Sequence, residues 1–105
     1  MTQEEIEAGF HRAMLGVYES ALRECGYRAT RFRKMVVDRG GLDTARALLA
    51  SPDVVPDGFN TLYLAGRLDL SLEAVVVKES WRQLFTDAEL NVAADRLRKV
   101  GFTVE

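Results

Sequence analysis

Thr2-Gln3-Glu4-Glu5-Ile6-Glu7-Ala8-Gly9-Phe10-His11-Arg12-Ala13-Met14-Leu15-Gly16-Val17-Tyr18-Glu19-Ser20-Ala21-Leu22-Arg23-Glu24-Cys25-Gly26-Tyr27 opens the chain, and its reading decides the fold. Ile6, Phe10, Ala13, Met14, Val17, Ala21 and Leu22 recur at steps of mostly three and four, the period that gathers side chains on one face of an α-helix. Both ends are written locally. The Thr2 hydroxyl can accept from the amide of Glu5 while the Glu5 carboxylate reaches back to the amide of Thr2, a capping box. Glu4, Glu5 and Glu7 sit at the positive end of the helix dipole. Gly26 can take the left-handed conformation that ends a helix, with Tyr27 folding back on Leu22. The expectation is one long helix from Thr2 to about Cys25.

The same grammar continues outward. Arg28 to Arg39 places Phe32, Met35 and Val36 on one face and stops at Gly40-Gly41, which predicts a second, shorter helix. Leu42 to Ala50 is rich in strong helix formers. It ends before Ser51-Pro52, where the residue ahead of proline is pushed out of the helical region. Ser51 to Gly58 holds both prolines and two aspartates, the composition of a surface connection, and is the one expected hinge. Asp57 is placed to cap a short helix from Gly58 to Ala65 that stops at Gly66, and Ser71 to cap another running to about Lys78. Val75-Val76-Val77 is β-branched, but no second strand pattern is present to pair with it, so it reads as helix. In the last segment Thr86 and Glu89 form a second capping box and Phe85 and Leu90 stand at staple positions. Gly101 closes that helix, with Phe102 packing on Leu97. The sum is an all-α, compact orthogonal bundle of five to six helices, a single domain over residues 1–105.

Lys and Arg number 14 and Asp and Glu 16, a net charge of -2 over 105 residues. That balance argues against attraction to nucleic acid or anionic membrane by the whole surface. One Cys forbids an intrachain disulfide, and with one His the chain lacks the clustered ligands of a structural zinc site. The expected setting is a reducing cytoplasm, with no metal and no cofactor. No apolar run reaches the roughly 18 residues of a membrane span, and Glu4, Glu5 and Glu7 stand where an export signal would be basic. No membrane is expected among the partners.

Gly58-Phe59, Gly66-Arg67-Leu68-Asp69-Leu70-Ser71-Leu72-Glu73-Ala74, Leu84-Phe85-Thr86-Asp87-Ala88-Glu89-Leu90, Arg96-Leu97 and Gly101-Phe102 together resemble a family of small bacterial helical domains of uncharacterised activity. Gly26-Tyr27, Gly40-Gly41 and the stretch Ala45 to Leu49 extend the resemblance over about Gly26 to Phe102. It implies the helical fold and carries over no catalytic residue. The chain departs from the family pattern at Arg28-Ala29, where the family has an Asn-Pro pair. Arg31-Phe32-Arg33-Lys34 is also more basic than the family's opening.

That basic opening is the main functional candidate. Arg28, Arg31, Arg33 and Lys34 crowd the positive end of a helix dipole, where each exposed cation is disfavoured by roughly 0.3–1 kcal/mol. Arg28, Arg31 and Lys34 are three apart and form one stripe. Unpaired amides at the same end would complete an anion site that a phosphate fits. Counting Arg39, the segment holds five cations against Asp38, a local charge of +4, enough for weak, salt-sensitive binding to nucleic acid. The competing structural account is that carboxylates such as Glu19, Glu24 or Asp38 neutralise these cations.

Other candidates have structural readings. Arg67 and Asp69 can form a fork bracing the turn before Ser71. His11 lies far in sequence from any second ligand and reads as an edge-of-core side chain. Cys25 sits where the helix dipole opposes a thiolate. Ser20, Ser51, Ser71 and Ser80 lack a nucleophile elbow, and no glycine-rich loop has phosphate-cradle spacing, so no enzyme is expected. Trp81 is either an interface anchor or a plug in the bundle. A helix of about 23 residues spans about 35 Å, more than the rest of such a domain, so a homodimer through Ile6, Phe10, Ala13 and Val17 is expected, with Gly9 and Gly16 permitting close approach. The reading of function is a non-enzymatic helical module that binds a protein partner or itself. The alternative is a small nucleic-acid-binding domain acting through Arg28, Arg31, Arg33 and Lys34.

Overall fold

The capping signals act where the sequence places them. In the computed structural model, which describes residues Met1–Val104, α1 (Gln3–Cys25) begins at the reciprocal Thr2–Glu5 capping box. It ends on left-handed Gly26, with the amides of Gly26 and Tyr27 bonded to Leu22 and Ala21 carbonyls at 3.0 and 3.1 Å. Five further α-helices follow: α2 (Thr30–Arg39), α3 (Gly41–Leu49), α4 (Asp57–Leu64), α5 (Leu72–Val76) and α6 (Asp87–Lys99). Short 3₁₀ turns occupy Leu68–Leu70 and Glu79–Leu84. No strand occurs among the described residues, so the chain is all-α.

The helix boundaries differ from expectation in three places. Pro56, not Asp57, is the cap position of α4, and Asp57 is its first helical residue with no capping bond. Proline at that boundary presets a compatible φ. Ser71 does cap α5, accepting from the amide of Ala74, but the helix stops at Val76. The following Glu79–Leu84 turn tightens to 3₁₀, a winding that hydrophobic spacing does not announce.

Two adjoining cores hold the bundle. The first gathers Ile6, Phe10 and Met14 of α1 with Val36, Ala45, Leu49, Leu72, Val75, Val76, Leu84, Phe85 and Ala93. The second joins Ala21 of α1 to Phe59, Leu62, Leu68 and Leu97, and half-buried Val77 packs on both. Full burial of a side chain such as Phe10 contributes about 1.5–3 kcal/mol. Its edge-to-face contacts with Trp81 and Phe85, at 5.8 and 5.3 Å between centroids, add about 0.5–1.5 kcal/mol per pair.

These contacts correct the reading of α1. The molecule measures 37 × 26 × 22 Å, long enough to accommodate the whole helix, and its far end is covered by the second core. Ile6 and Phe10 are buried, and Ala13 and Val17 pack half-buried against the first core. The face expected to meet a second copy is thus turned into the chain itself, because α2, α3 and the Glu79–Leu84 turn supply the covering surface. Trp81 is likewise absorbed: a Cβ on Gly9 would lie 3.1 Å from its ring, so glycine seats the indole against α1. Nothing in the structure explains Gly16.

Gly40-Gly41 sets the close approach of α3 to α1. Gly40 has φ 89°, in the left-handed region where a Cβ is strained, and turns the chain from α2 into α3 with no intervening loop. A Cβ on Gly41 would sit 2.7 Å from the Cα of His11.

Candidate functional site: a cleft at the start of the second helix

The start of α2 is built unlike that of α1 or α6. Its cap position is Ala29, which offers no side-chain acceptor, and its first turn has no acidic residue. The Thr30 amide bends back to the Arg28 carbonyl at 2.9 Å and that of Arg33 bonds Ala29 at 3.0 Å. The amides of Arg31 and Phe32 have no acceptor among the described residues. By contrast Thr86 and Glu89 satisfy the start of α6 reciprocally at 3.1 and 2.8 Å.

Beside this open end lies a cavity of about 400 Å³. Val17 and Ala21 of α1, Phe32 and Met35 of α2, Phe59 and Leu62 of α4, and Leu48, Pro56 and Leu72 form its mainly apolar lining. Arg28 and Arg31 stand exposed on one side, Asp57 is exposed on α4, and buried Glu73 reaches the wall. Sequence patterning marks the helices but not this space, because the residues that enclose it come from α1, α2, α3, α4 and α5 together.

The four cations of the basic opening divide. Lys34 donates to Asp38 at 2.7 Å, a hydrogen bond that holds its ammonium above the ordinary lysine range. Arg33 lies over the Tyr18 ring, 5.8 Å from its centroid, a cation–π placement. The side chains of Arg28 and Arg31 form no hydrogen bond or ion pair with any described residue. The neutralising account therefore holds for Lys34 only. Of the other carboxylates named for it, Glu24 is engaged by Arg67 at 2.9 Å and Arg23 at 3.6 Å, and Glu19 is exposed without a partner among the described residues.

Behind the cleft wall sits an ion pair that sequence reasoning missed. Arg96 of α6 and Glu73 of α5 are both buried, with Nη1 donating to the carboxylate at 3.0 Å. Arg96 Nη2 also donates to the carbonyls of Leu48, Ser51 and Val54 at 3.0, 3.0 and 2.9 Å, while Nε has no partner. Burial pushes the Glu73 carboxyl above the ordinary glutamate value, against the opposing pull of backbone hydrogen bonding and Arg96. Arg96 thus clamps the segment between α3 and α4, which the composition had marked as a hinge. The only signal was a Glu and an Arg on otherwise apolar helix faces, 23 residues apart.

The remaining candidates have structural partners. Arg67 and Asp69 form the expected fork, 3.0 and 3.1 Å, and that pairing draws the Asp69 carboxyl below its ordinary value. Through Glu24 the fork also ties the turn to the end of α1. The Nδ1 of His11 accepts from the amide of Gly41 at 3.0 Å, supplying an acceptor at the start of α3. Cys25 packs against the second core. Among the described residues no group of three or more His, Cys, Asp or Glu could hold a metal ion, and no helix is long and apolar enough to cross a membrane. No family model, curated protein or solved structure matches the chain.

Proposed function

We propose that the chain is a non-enzymatic protein-interaction module of the cytoplasm whose working surface is the cleft at the start of α2, in place of the α1 face. The observation that carries this reading is the apolar space of about 400 Å³, within the range of about 300–1,000 Å³ typical of ligand sites. The apolar surface continues outward, because Val54 and Val55, just before Pro56, are 65% and 39% exposed. The reading uses apolar contact and charge, and no bond-making step.

The test is selection of displayed random 12-residue peptides on the intact chain, followed by amide NMR shifts with an enriched peptide. Shifts centred on Val17, Phe32, Met35 and Phe59 are the expected result. No enriched peptide, or shifts confined to another face such as a contact between two copies, removes the cleft as the working surface.

Nucleic-acid binding is the second reading, favoured by the unpaired state of Arg28 and Arg31. It draws on two free cations rather than four, since Arg33 and Lys34 are engaged, and each phosphate contact contributes one increment of salt-sensitive affinity. Titration with duplex and single-stranded oligonucleotides at low and moderate salt tests it. Equal binding by the parent and Arg31→Glu/Lys34→Glu, or binding by neither, excludes it.

A further inference from the structure

The cleft has opposite charges at its mouth and a lining that tolerates none, and this narrows what can occupy it. Val17, Phe32, Met35, Phe59 and Leu62 make the interior mainly apolar; Tyr27, Thr30 and Ser71 also line it, and the Ser71 hydroxyl is already engaged, donating to the Leu68 carbonyl and accepting from the Ala74 amide. The one buried carboxylate in the wall, Glu73, is already held by Arg96. A second charge carried inside would lose its water without compensation. The occupant must therefore place apolar groups inside and keep its charge at the rim.

At the rim the α2 side has Arg28 and Arg31, with the positive end of the helix dipole and the free amides of Arg31 and Phe32 behind them. The α4 side has Asp57, whose carboxylate forms no ion pair or hydrogen bond with a described residue, while its backbone carbonyl accepts from the Thr61 hydroxyl. A polyanion would meet attraction on one side and repulsion on the other. A simple alkyl carboxylate would pair with the arginines but make no use of Asp57, which would stay hydrated at the exposed rim. A peptide answers both, since its side-chain carboxylate can pair with the arginines while its backbone N–H groups offer donors to Asp57. The chain's overall charge of -2 gives an acidic partner no general attraction, so recognition is local to this rim.

Resting on the cleft as the working surface, we infer that its occupant is an acidic, apolar peptide segment: bulky side chains fill the cavity and an adjoining carboxylate lies between Arg28 and Arg31. Charge complementarity at the rim orients the segment, and burial of its apolar side chains supplies most of the affinity, as at other interfaces where a few anchors dominate.

Enriched peptides from the selection decide the point. They should combine two or three bulky apolar residues with Asp or Glu on one side. A synthetic copy should bind Arg28→Ala/Arg31→Ala at least tenfold more weakly than the parent at low salt, and lose affinity when its acid is replaced by the amide. Both arginines are exposed, and an unchanged helical circular dichroism spectrum shows that the double variant is folded. Cleft-binding peptides without a carboxylate, or with equal affinity for the double variant, overturn the inference while leaving the cleft as the working surface. Amide shifts at the cleft with dodecanoate but no enriched peptide assign the space to a free amphiphile and overturn it too. Failure of every probe to reach the cleft removes the underlying reading.

Discussion

The starts of α6 and α2 are opposite answers to the same problem, the exposed amides at the head of a helix. At α6, Thr86 and Glu89 cap each other's backbone, and the helix then delivers Arg96 to a carboxylate and three carbonyls in the interior. At α2 there is no capping side chain, no acidic residue in the first turn, and two arginines without partners. One region is closed on itself; the other leaves its polar groups open beside a cavity. The head of α4 also lacks a side-chain cap but has Asp57 in its first turn; among the described α-helices, α2 alone has no acidic residue there, and a local rule broken in this way is what the proposed binding role would account for.

The sharpest way to break this contrast is to open the closed region. Arg96→Met strands a buried Glu73 and three carbonyls, and should destabilise the fold by about 3–5 kcal/mol in urea unfolding. A loss under about 1 kcal/mol would mean that the pair is not the fastening it resembles. Gly41→Ala comes next. Its new Cβ meets the backbone of His11, which cannot swing aside, so a loss of about 1–3 kcal/mol is expected with the near-ultraviolet spectrum retained. Thr86→Ala removes half of a capping box and should cost about 1 kcal/mol, read from the shift in the urea midpoint.

The smallest effect sharpens the contrast most. Arg31→Glu exchanges a cation for an anion at the head of α2 and should stabilise the protein by about 0.3–1 kcal/mol, while weakening capture of an acidic peptide. Stability and binding would then move in opposite directions at one residue. Thermal unfolding and peptide affinity measured on the same variant check it, and a variant that lost both would make Arg31 a structural residue.

Most helix ends were legible because their determinants lie within four or five residues: Thr2 with Glu5, Ser71 with Ala74, Gly26 with Ala21 and Leu22. The basic head of α2 was legible for the same reason, as a violation of a local rule. What depended on distant partners was not. His11 accepts from Gly41 30 residues away, and Arg96 reaches Leu48 across 48. Helical periodicity marks Ile6, Phe10, Ala13 and Val17 as an apolar face without saying whether a second copy or the chain's own helices will cover it. The cavity was invisible for a related reason, since its walls meet only after α1, α2 and α4 have docked.

The clamp formed by Arg96 has a bearing on the cleft that its position conceals. Its reach to the Val54 carbonyl spans 42 residues and fixes the segment of chain that leads into Pro56 and Asp57, which line the cleft. If the cleft binds the proposed peptide, a change at position 96 would weaken that binding from a side chain the peptide never touches, and would register as a folding defect in one assay and as a binding defect in another.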